Sequence, residues 1–289
     1  MSKFALALGG GGARGMAYIG IFRVFEEAGI RPDVLVGTSI GALAACMWSH
    51  YGDWRRVREK SVEFLQNRRF RKYGAGLGLE MKDARPGFLR KCGIWARRLA
   101  HAPRFFLRGG LFSPEGLRAA VAEALPDVRL EELAVEVAVV TLDLVSGREV
   151  VLQNGSARDA CAASANLAGF FPPVRDGERL LVDCSSVASI PVAAARSLGA
   201  DKVAAVDIRS PIPDVDRRSI KSALNAVLRL GVIASDRANA SQLAAADVVI
   251  RPDVGDVFWS DFRDMERLEA EGERAAREAL PAIRQALGE

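Results

Sequence analysis

Apolar residues in the first fifty positions alternate between short strand-like runs and longer segments with helical spacing. Residues 3–8 form an apolar run typical of a buried strand, and four glycines follow at 9–12. A helix is predicted over 13–28, and a second strand over 34–36 leads through a serine turn into a small-residue helix over 42–50. Two strand–turn–helix units in tandem predict a parallel sheet with helices on its faces.

The remainder of the chain returns to this pattern after a different central region. Strands are predicted over 135–144, 149–152, 179–182, 202–208 and 248–250, with helices from about 156, after 217 and over 261–287. No internal repeat or low-complexity linker interrupts them. The chain therefore reads as one α/β domain over 1–289, a three-layer sandwich whose central, mostly parallel sheet is flanked by helices.

The composition is typical of a globular protein and bears on where in the cell we expect it. The 289 residues are 49% hydrophobic and 26% charged, and no run approaches the roughly 20 apolar residues that span a bilayer. The amino terminus reads better as a first strand than as a signal peptide. We expect a cytoplasmic protein and leave open peripheral contact with the inner membrane face. The oligomeric state is not predicted.

Few side chains are suited to binding a metal. Four widely spaced cysteines form no C-x-x-C pair, and only two histidines are present. These numbers argue against a disulfide framework and against a zinc site. We expect reduced, mostly buried thiols, and neither a metal nor another cofactor.

Basic charge is concentrated in one segment. Residues 54–110 contain 16 Lys/Arg and 4 Asp/Glu, a net charge of +12, in a chain whose total is +4. This helical, basic and aromatic segment is interpreted as an inserted cap or lid that faces a membrane. A solvated basic surface is the simpler alternative. Nucleic-acid binding is not expected, because no recognised nucleic-acid motif accompanies the charge.

The serine turn is the first candidate for chemistry. Gly37-Thr38-Ser39-Ile40-Gly41 has the form G-x-S-x-G and stands between a predicted strand and a predicted helix. Such a turn exposes the serine hydroxyl at the carboxyl edge of the sheet, with glycines where backbone and substrate approach closely. Ser39 is therefore the candidate nucleophile.

A serine nucleophile needs a base, and histidine is a poor candidate here. His50 and His101 both precede every plausible acid, whereas an α/β-hydrolase has the order Ser, Asp/Glu, His. His50 also lies about three turns beyond Ser39 on the predicted helix. The residues therefore favour a carboxylate as the base.

The glycine loop has two possible functions. The run Gly9 to Gly15 contains G-x-G-x-x-G, but the acidic residue that a dinucleotide site needs at the end of the second strand is missing. Consecutive glycines before a helix instead offer converging N–H groups that suit an oxyanion hole. Arg14 could hold this loop or attract an anionic substrate, and the sequence favours neither role.

Together these motifs resemble the patatin-like phospholipases, which include the bacterial and neuropathy-target-esterase-like serine acyl hydrolases. The resemblance extends through several further segments in the family's order, namely 26–30, 141–147, 169–173, 180–183, 190–192 and 198–201. It implies a patatin-like fold and a lipid acyl hydrolase of the phospholipase A, lysophospholipase or carboxylesterase type. The implied substrate is a phospholipid or another acyl ester.

The resemblance also implies a role for individual residues. By position, Ser39 is the nucleophile and Asp183 its base, in a dyad that contains neither histidine nor metal. Gly10, Gly11 and Gly12 form the oxyanion hole with Arg14 behind them, and the glycines that complete the motifs are Gly15, Gly37 and Gly41.

One motif departs from the family's pattern. The family follows its aspartate with Gly-Gly or Gly-Ala and places Asn before the proline, whereas this chain has Asp183-Cys184-Ser185 and Ser189-Ile190-Pro191. A left-handed backbone at 184 would make cysteine costly there, by about 1–2 kcal/mol. The alternative hypothesis is therefore a catalytically weakened or inactive relative that binds lipid.

Overall fold

The computed structural model describes residues 2–67, 113–212, 214–216, 218, 220 and 223–289. Among them are eight strands: β1 Phe4–Leu8, β2 Val34–Thr38, β3 Glu136–Asp143, β4 Glu149–Leu152, β5 Val174–Asp176, β6 Arg179–Val182, β7 Lys202–Val206 and β8 Val248–Ile250. The helices, numbered over the same residues, are α1 Ala17–Glu27, α2 Ile40–Tyr51, α3 Trp54–Gln66, α4 Pro114–Ala124, α5 Ala157–Ser164, α6 Val192–Ser197, α7 Ala223–Ala244 and α8 Met265–Leu287.

The strands form one mixed sheet in the order β5-β6-β3-β2-β1-β7-β8, with β4 paired to β3. The five strands from β3 to β8 along this path are parallel, while β4, β5 and β6 are joined by antiparallel pairs. The parallel strands β2, β1 and β7 therefore end at one edge, where the serine turn and the glycine loop begin. This arrangement confirms the predicted α/β sandwich with a mostly parallel sheet.

The central strands are buried on both faces. In β1, Phe4, Leu6 and Leu8 belong to a large hydrophobic cluster on one face, while Ala5 and Ala7 belong to a second cluster on the other. Successive residues of a strand point to opposite faces, so an unbroken apolar run supplies both clusters. Helices α1, α2 and α8 cover the first face and α6 covers the second.

Helices α1 and α8 pack with almost no side-chain volume between them. A Cβ at Gly272 would overlap the Ala17 carbonyl, and one at Gly20 would overlap the Glu269 carbonyl. Each helix thus contributes a glycine that lets the partner's backbone approach. The contact fixes α8, the last helix, against the first layer of the fold.

The predicted elements differ from the observed ones mainly at their ends. The helix predicted from residue 13 starts with a 3-10 turn, Gly12–Met16, before α1. The strand predicted to 208 stops at Val206, and the helix predicted from 261 starts at Met265. The short helices α4 and α6 and the strand β5 were not predicted individually. Of the predicted insert over 54–110, α3 is described and packs against α1, α2 and α4, while 68–110 lies outside the described residues.

No helix within the described ranges has both the length and the apolar character needed to cross a bilayer.

Replacement of Gly272 by alanine tests the close helix contact. Gly272→Ala should lower the free energy of unfolding by about 1–3 kcal/mol, because the added methyl group must push the Ala17 backbone away. Gly231→Ala, within α7, is the matched control because nothing lies within 4 Å of its added Cβ. Helix propensity should stabilise that variant by up to about 1 kcal/mol. Thermal unfolding measures both effects. If Gly272→Ala raised the midpoint of unfolding as Gly231→Ala is expected to do, the close helix contact would be contradicted.

Candidate active site

The serine turn holds its residue in a conformation that side chains rarely adopt. Ser39 has φ 56° and ψ −123°, and it is the one non-glycine residue with a positive φ in the described part of the chain. Its N–H donates to Ser164 Oγ over 2.8 Å, which helps to hold this geometry. Strain of this kind is concentrated at functional sites, where the surrounding structure over-determines it.

The glycines on either side of Ser39 are needed for close backbone packing. A Cβ at Gly41 would overlap the Leu8 carbonyl, and one at Gly37 would lie 2.5 Å from the backbone of Ala42. Gly15, on the 3-10 turn after the glycine loop, packs against the side chain of Ile40, which follows Ser39. The motif glycines therefore bring the serine turn directly against the end of β1.

Asp183 is the candidate base, and the fold buries it. It follows β6, is 2% exposed, and accepts a hydrogen bond at Oδ1 from Ser185 N over 2.7 Å. Burial raises its pKa above the ordinary aspartate value, although hydrogen bonds from Ser185 and from the Ser39 hydroxyl oppose that change. Oδ2 has no partner by ordinary hydrogen-bond geometry among the described residues, so it is free to accept from the nearby serine hydroxyl. The structure therefore brings the serine and the carboxylate together.

The end of α5 positions both members of this pair. Ser164 Oγ accepts from Ser39 N and donates to Val140 O in β3 over 2.6 Å. Two residues later, Asn166 O accepts from Asp183 N over 2.8 Å. Both side chains are buried. They were not identified from the sequence, where the only signal was two polar residues inside an alanine-rich apolar run.

Asp143 fixes the strand that carries Asp183. Its carboxylate accepts hydrogen bonds from the Ser146 hydroxyl and N–H, from Val145 N, and from Leu180 N at the start of β6. The Ser146 hydroxyl is the largest of the causes that lower the pKa of Asp143 to about 2. Asp143 therefore remains ionised and acts as a brace between the turn after β3 and β6.

Three side chains orient the carbonyl groups of the glycine loop. The Tyr18 hydroxyl donates to Gly9 O, the Ser189 hydroxyl donates to Gly10 O over 3.0 Å, and Arg14 Nε donates to Gly11 O over 3.0 Å. In a planar trans peptide the C=O and the next N–H point in opposite directions. Fixing the Gly10 and Gly11 carbonyls therefore turns the N–H groups of the next two glycines away from these side chains.

The loop N–H groups are not equivalent. Gly10 N donates to Ser189, at 2.9 Å to Oγ and 3.2 Å to O. The N–H groups of Gly11 and Gly12 have no hydrogen-bond partner among the described residues, and both glycines line the same cavity as Ser39. Gly12 has φ 60°, and a Cβ there would overlap the Trp259 carbonyl, so only glycine fits. Two donors are thus available to a ligand.

Arg14 supports the loop. In addition to Gly11 O, its guanidinium donates to Ser210 Oγ over 3.0 Å. Burial lowers the pKa of this arginine and the nearby Asp207 carboxylate opposes that change. Of the two roles that the sequence left open, these contacts favour holding the loop.

A cavity of about 680 Å³ contains these groups. Ser39, Asp183 and the loop glycines belong to its polar part, and Arg14 and Arg209 lie along its wall. The other polar residues that line it are Ser185, Ser189, Ser210, Ser235 and Asp236. Most of the remaining wall is apolar, formed by Ile40, Leu43, Phe64, Leu117, Val121, Leu167, Phe170, Phe171, Ile212, Val227, Val232, Trp259 and Phe262. A cavity of this size and lining suits a flexible apolar chain with one polar group.

The altered aspartate motif does not strain the backbone. Cys184 lies in a 3-10 turn, Cys184–Ser186, and does not have a positive φ, so the cost considered for a left-handed residue does not arise. Its side chain is buried in the hydrophobic cluster on the second face of the sheet. Ser185 lines the cavity, and its buried hydroxyl has no partner by ordinary hydrogen-bond geometry among the described residues, although it lies close enough to Asp183 to lower the pKa of that carboxyl.

No described histidine or cysteine contributes a polar group to this arrangement, although Cys161 lines part of the cavity wall. His50 is exposed and stacks edge-on against Tyr51, while His101 lies outside the described residues. Cys46 and Cys161 are buried free thiols whose sulfur atoms are 3.6 Å apart. Within the described ranges, no three His, Cys, Asp or Glu side chains are grouped so that they could bind a metal ion.

Sequence comparisons match this chain to one protein family and to part of several longer proteins. The family model described as "Patatin-like phospholipase" matches residues 6–196. Patatin-like phospholipase domain-containing protein 7 of Mus musculus is 28% identical over 211 residues, 72% of this chain and 14% of that protein. Lysophospholipase NTE1 of Pyricularia oryzae is 29% identical over 212 residues, 73% of this chain and 12% of that protein.

A bacterial relative and a solved structure cover almost the whole chain. An NTE family protein of Mycobacterium bovis is 26% identical over 303 residues, 97% of this chain and 47% of that protein. The chain thus spans less than half the length of these curated relatives. The crystal structure of VipD from Legionella pneumophila matches with a TM-score of 0.50 at 15% identity, covering 97% of this chain and 67% of that one, and shows the same fold.

Two substitutions of Ser39 separate backbone strain from the loss of the hydroxyl. Both Ser39→Ala and Ser39→Gly remove the hydroxyl, but only glycine adopts φ 56° without steric cost. We expect Ser39→Gly to be more stable than Ser39→Ala by about 1 kcal/mol, despite the greater flexibility of unfolded glycine. Thermal unfolding at pH 7 measures the difference. An alanine variant at least as stable as the glycine variant would show that the turn is not strained.

Proposed function

The chain belongs to the patatin-like phospholipase family, and from that premise we propose that it hydrolyses carboxylic esters of lipids with Ser39 as nucleophile and Asp183 as base. One observation carries the proposal. Three features meet in one largely apolar cavity. They are Ser39 on a strained turn, the buried Asp183 carboxylate with one oxygen free for the serine, and two backbone N–H groups, those of Gly11 and Gly12, that are unpaired among the described residues. A structural role alone would not require these features to coincide.

In the proposed first half-reaction, Ser39 Oγ attacks the ester carbonyl carbon as Asp183 accepts its proton. The raised pKa makes Asp183 a stronger base than an ordinary aspartate. The tetrahedral intermediate expels the alcohol, which takes the proton back from Asp183. An acyl group then remains on Ser39.

In the second half-reaction, Asp183 removes a proton from water, and the resulting hydroxide attacks the acyl-enzyme carbonyl. Collapse of that intermediate releases the fatty acid, and the proton on Asp183 returns to Ser39. The same carboxylate thus acts as base and then as acid in each half. No metal or organic cofactor enters either step.

The oxyanion of each intermediate would accept hydrogen bonds from Gly11 N and Gly12 N. Gly10 was expected to share this role, but its N–H is already donated to Ser189, so we assign it to shaping the loop. Arg14 acts behind the loop through the Gly11 carbonyl. Loss of one such donor in an acyl hydrolase costs about 3–4 kcal/mol of transition-state stabilisation.

The apolar part of the cavity is proposed as the acyl-chain site. Its wall is mainly Phe, Leu, Val and Ile side chains, which favour an alkyl chain through burial. The relatives bear the names phospholipase and lysophospholipase, and we carry that substrate class to this chain. The basic segment 54–110 remains a proposed membrane contact, of which 68–110 lies outside the described residues.

Removal of either member of the dyad should abolish turnover without unfolding the protein. We expect Ser39→Ala and Asp183→Asn each to lower kcat for a p-nitrophenyl acyl ester by about a thousandfold or more. Asp201→Asn, an exposed carboxylate that accepts from Lys3 N outside the cavity, is the matched control and should retain full activity.

Stability gives an independent check on the same variants. A carboxyl whose pKa is raised by folding binds protons more tightly in the folded protein, so its ionisation at neutral pH costs stability. Asp183→Asn should therefore unfold at a higher temperature than the wild type at pH 7. This difference in unfolding temperature should narrow as the pH falls from the raised pKa of the folded protein to about 4, the ordinary aspartate value, and should change no further below that. A folded wild-type protein that neither turns over acyl esters nor reacts with a fluorophosphonate would refute the hydrolase and favour the lipid-binding alternative.

The raised pKa of Asp183 also predicts the acid limb of the activity profile. The carboxylate must be ionised to accept the serine proton, so kcat/KM should fall as the pH drops through the pKa of the folded enzyme. Because burial raises that pKa, the midpoint should lie above about 4, the ordinary aspartate value. Initial rates with a neutral ester from pH 3.5 to 8 measure it. Full activity maintained down to about pH 4 would contradict the assignment.

A further inference from the structure

We propose that Ser189 is a positioning residue for the oxyanion site, and that Asn239 on α7 fixes Ser189 in that role. The inference rests on the proposed hydrolase activity. It assigns a function to a hydroxyl that neither attacks the substrate nor exchanges protons with it.

The Ser189 side chain clamps one glycine of the loop. Its Oγ accepts from Gly10 N over 2.9 Å and donates to Gly10 O over 3.0 Å, so both backbone groups of Gly10 bind the same hydroxyl. Ser189 is 3% exposed, and these contacts use its single donor. The clamp therefore operates in a buried setting, where an unmet carbonyl is costly.

The clamp matters because the next peptide joins two glycines. The Gly10–Gly11 peptide carries the Gly10 carbonyl at one end and the Gly11 N–H at the other, in opposite directions. Neither residue has a Cβ, so the local chain does not restrict rotation of this peptide plane. A rotation would aim the carbonyl into the cavity in place of the N–H, and an oxyanion would meet an acceptor instead of a donor.

Asn239 holds the backbone that presents Ser189. Its Oδ1 accepts from Ser189 N over 2.8 Å and from Ile190 N over 3.0 Å. Its Nδ2 donates to Ser235 O, one turn earlier in α7, over 2.7 Å. Asn239 is fully buried, and its amide thus links the cavity-lining helix α7 to the loop through Ser189.

Other roles for Ser189 do not fit the geometry. Its hydroxyl points to Gly10, and the hydrogen bonds of Asp183 come from Ser185 and Ser39 instead. Loss of the Ser189 hydroxyl should therefore affect the stabilisation of the oxyanion and leave the base unchanged. Ground-state binding in the apolar cavity should also change little.

The test compares Ser189→Ala with Ser49→Ala. Ser49 is a close structural match, since it is also 3% exposed and its Oγ accepts from Val135 N over 2.8 Å and donates to Val135 O over 2.9 Å. It does not line the cavity. Each variant loses one buried hydroxyl that bridges the N–H and C=O of one residue, so their thermal stabilities should fall by similar amounts.

Activity should separate the two variants. For Ser189→Ala we expect kcat to fall between about tenfold and a hundredfold, less than for the removal of an oxyanion donor itself, with KM within about threefold. A long-chain trifluoromethyl ketone, whose serine adduct carries an oxyanion, should bind more weakly by the same factor as kcat falls. The midpoint of the acid limb should stay in place. Ser49→Ala should keep the wild-type kcat.

Several results would overturn the inference. The first is a folded Ser189→Ala variant that keeps the wild-type kcat. The second is an unchanged affinity of that variant for the trifluoromethyl ketone. The third is a loss of kcat in Ser49→Ala equal to that in Ser189→Ala. Should Ser189→Ala fail to fold, Ser189→Cys fills the same space with a thiol that donates and accepts only weakly. Its kcat should also fall, and wild-type kcat there would be equally decisive. An inactive wild-type protein would instead refute the proposed hydrolase, so the two failures are distinguishable.

Discussion

The end of β1 and the start of α2 meet backbone to backbone, and the rest of the site is arranged around that contact. No side chain can stand between them, because any Cβ at Gly41 would occupy the position of the Leu8 carbonyl. The contact places the strained turn at Ser39 beside the loop that leaves β1. The neighbouring elements then determine what else can reach the turn. Helix α5 brings Ser164, whose hydroxyl donates to Val140 O in β3, and β6 brings Asp183.

Much of this could be predicted from the sequence, for a physical reason. The strand, glycine loop, serine turn and helix are local features, in which the residue types needed for tight turns and close approach are adjacent in the chain. The same is true of the alternating burial of β1 and β2, which an apolar run predicts without knowledge of its neighbours. The scarcity of histidine likewise indicated a carboxylate base. These parts of the fold are as expected, apart from shifts of a few residues at the ends of elements.

What the sequence did not reveal consists of contacts between residues far apart in the chain. Four small polar residues in apolar surroundings belong to this group, namely Ser164, Asn166, Ser189 and Asn239. Their functions depend on distant backbone groups: the hydrogen bonds Gly10–Ser189, Ser39–Ser164 and Ser189–Asn239 join residues 179, 125 and 50 positions apart. Nothing in their own neighbourhoods specifies a partner. The two roles considered for Arg14 were separable only once Gly11 O and Ser210 were seen beside its guanidinium. The assignment of oxyanion donors changed for the same reason.

The residues that orient the glycine loop are spread along the chain. Its carbonyl groups are held by side chains from α1, from the segment before α6 and from the loop's own 3-10 turn, and Asn239 lies beyond the part matched by the family model. The two amino-terminal motifs are therefore not a transferable unit. A fragment or graft that carried residues 9–41 without the buried partners from the second half would retain the recognisable signature and lose the directions of its N–H groups. Recognition of the motif and competence of the site are separate properties of this fold.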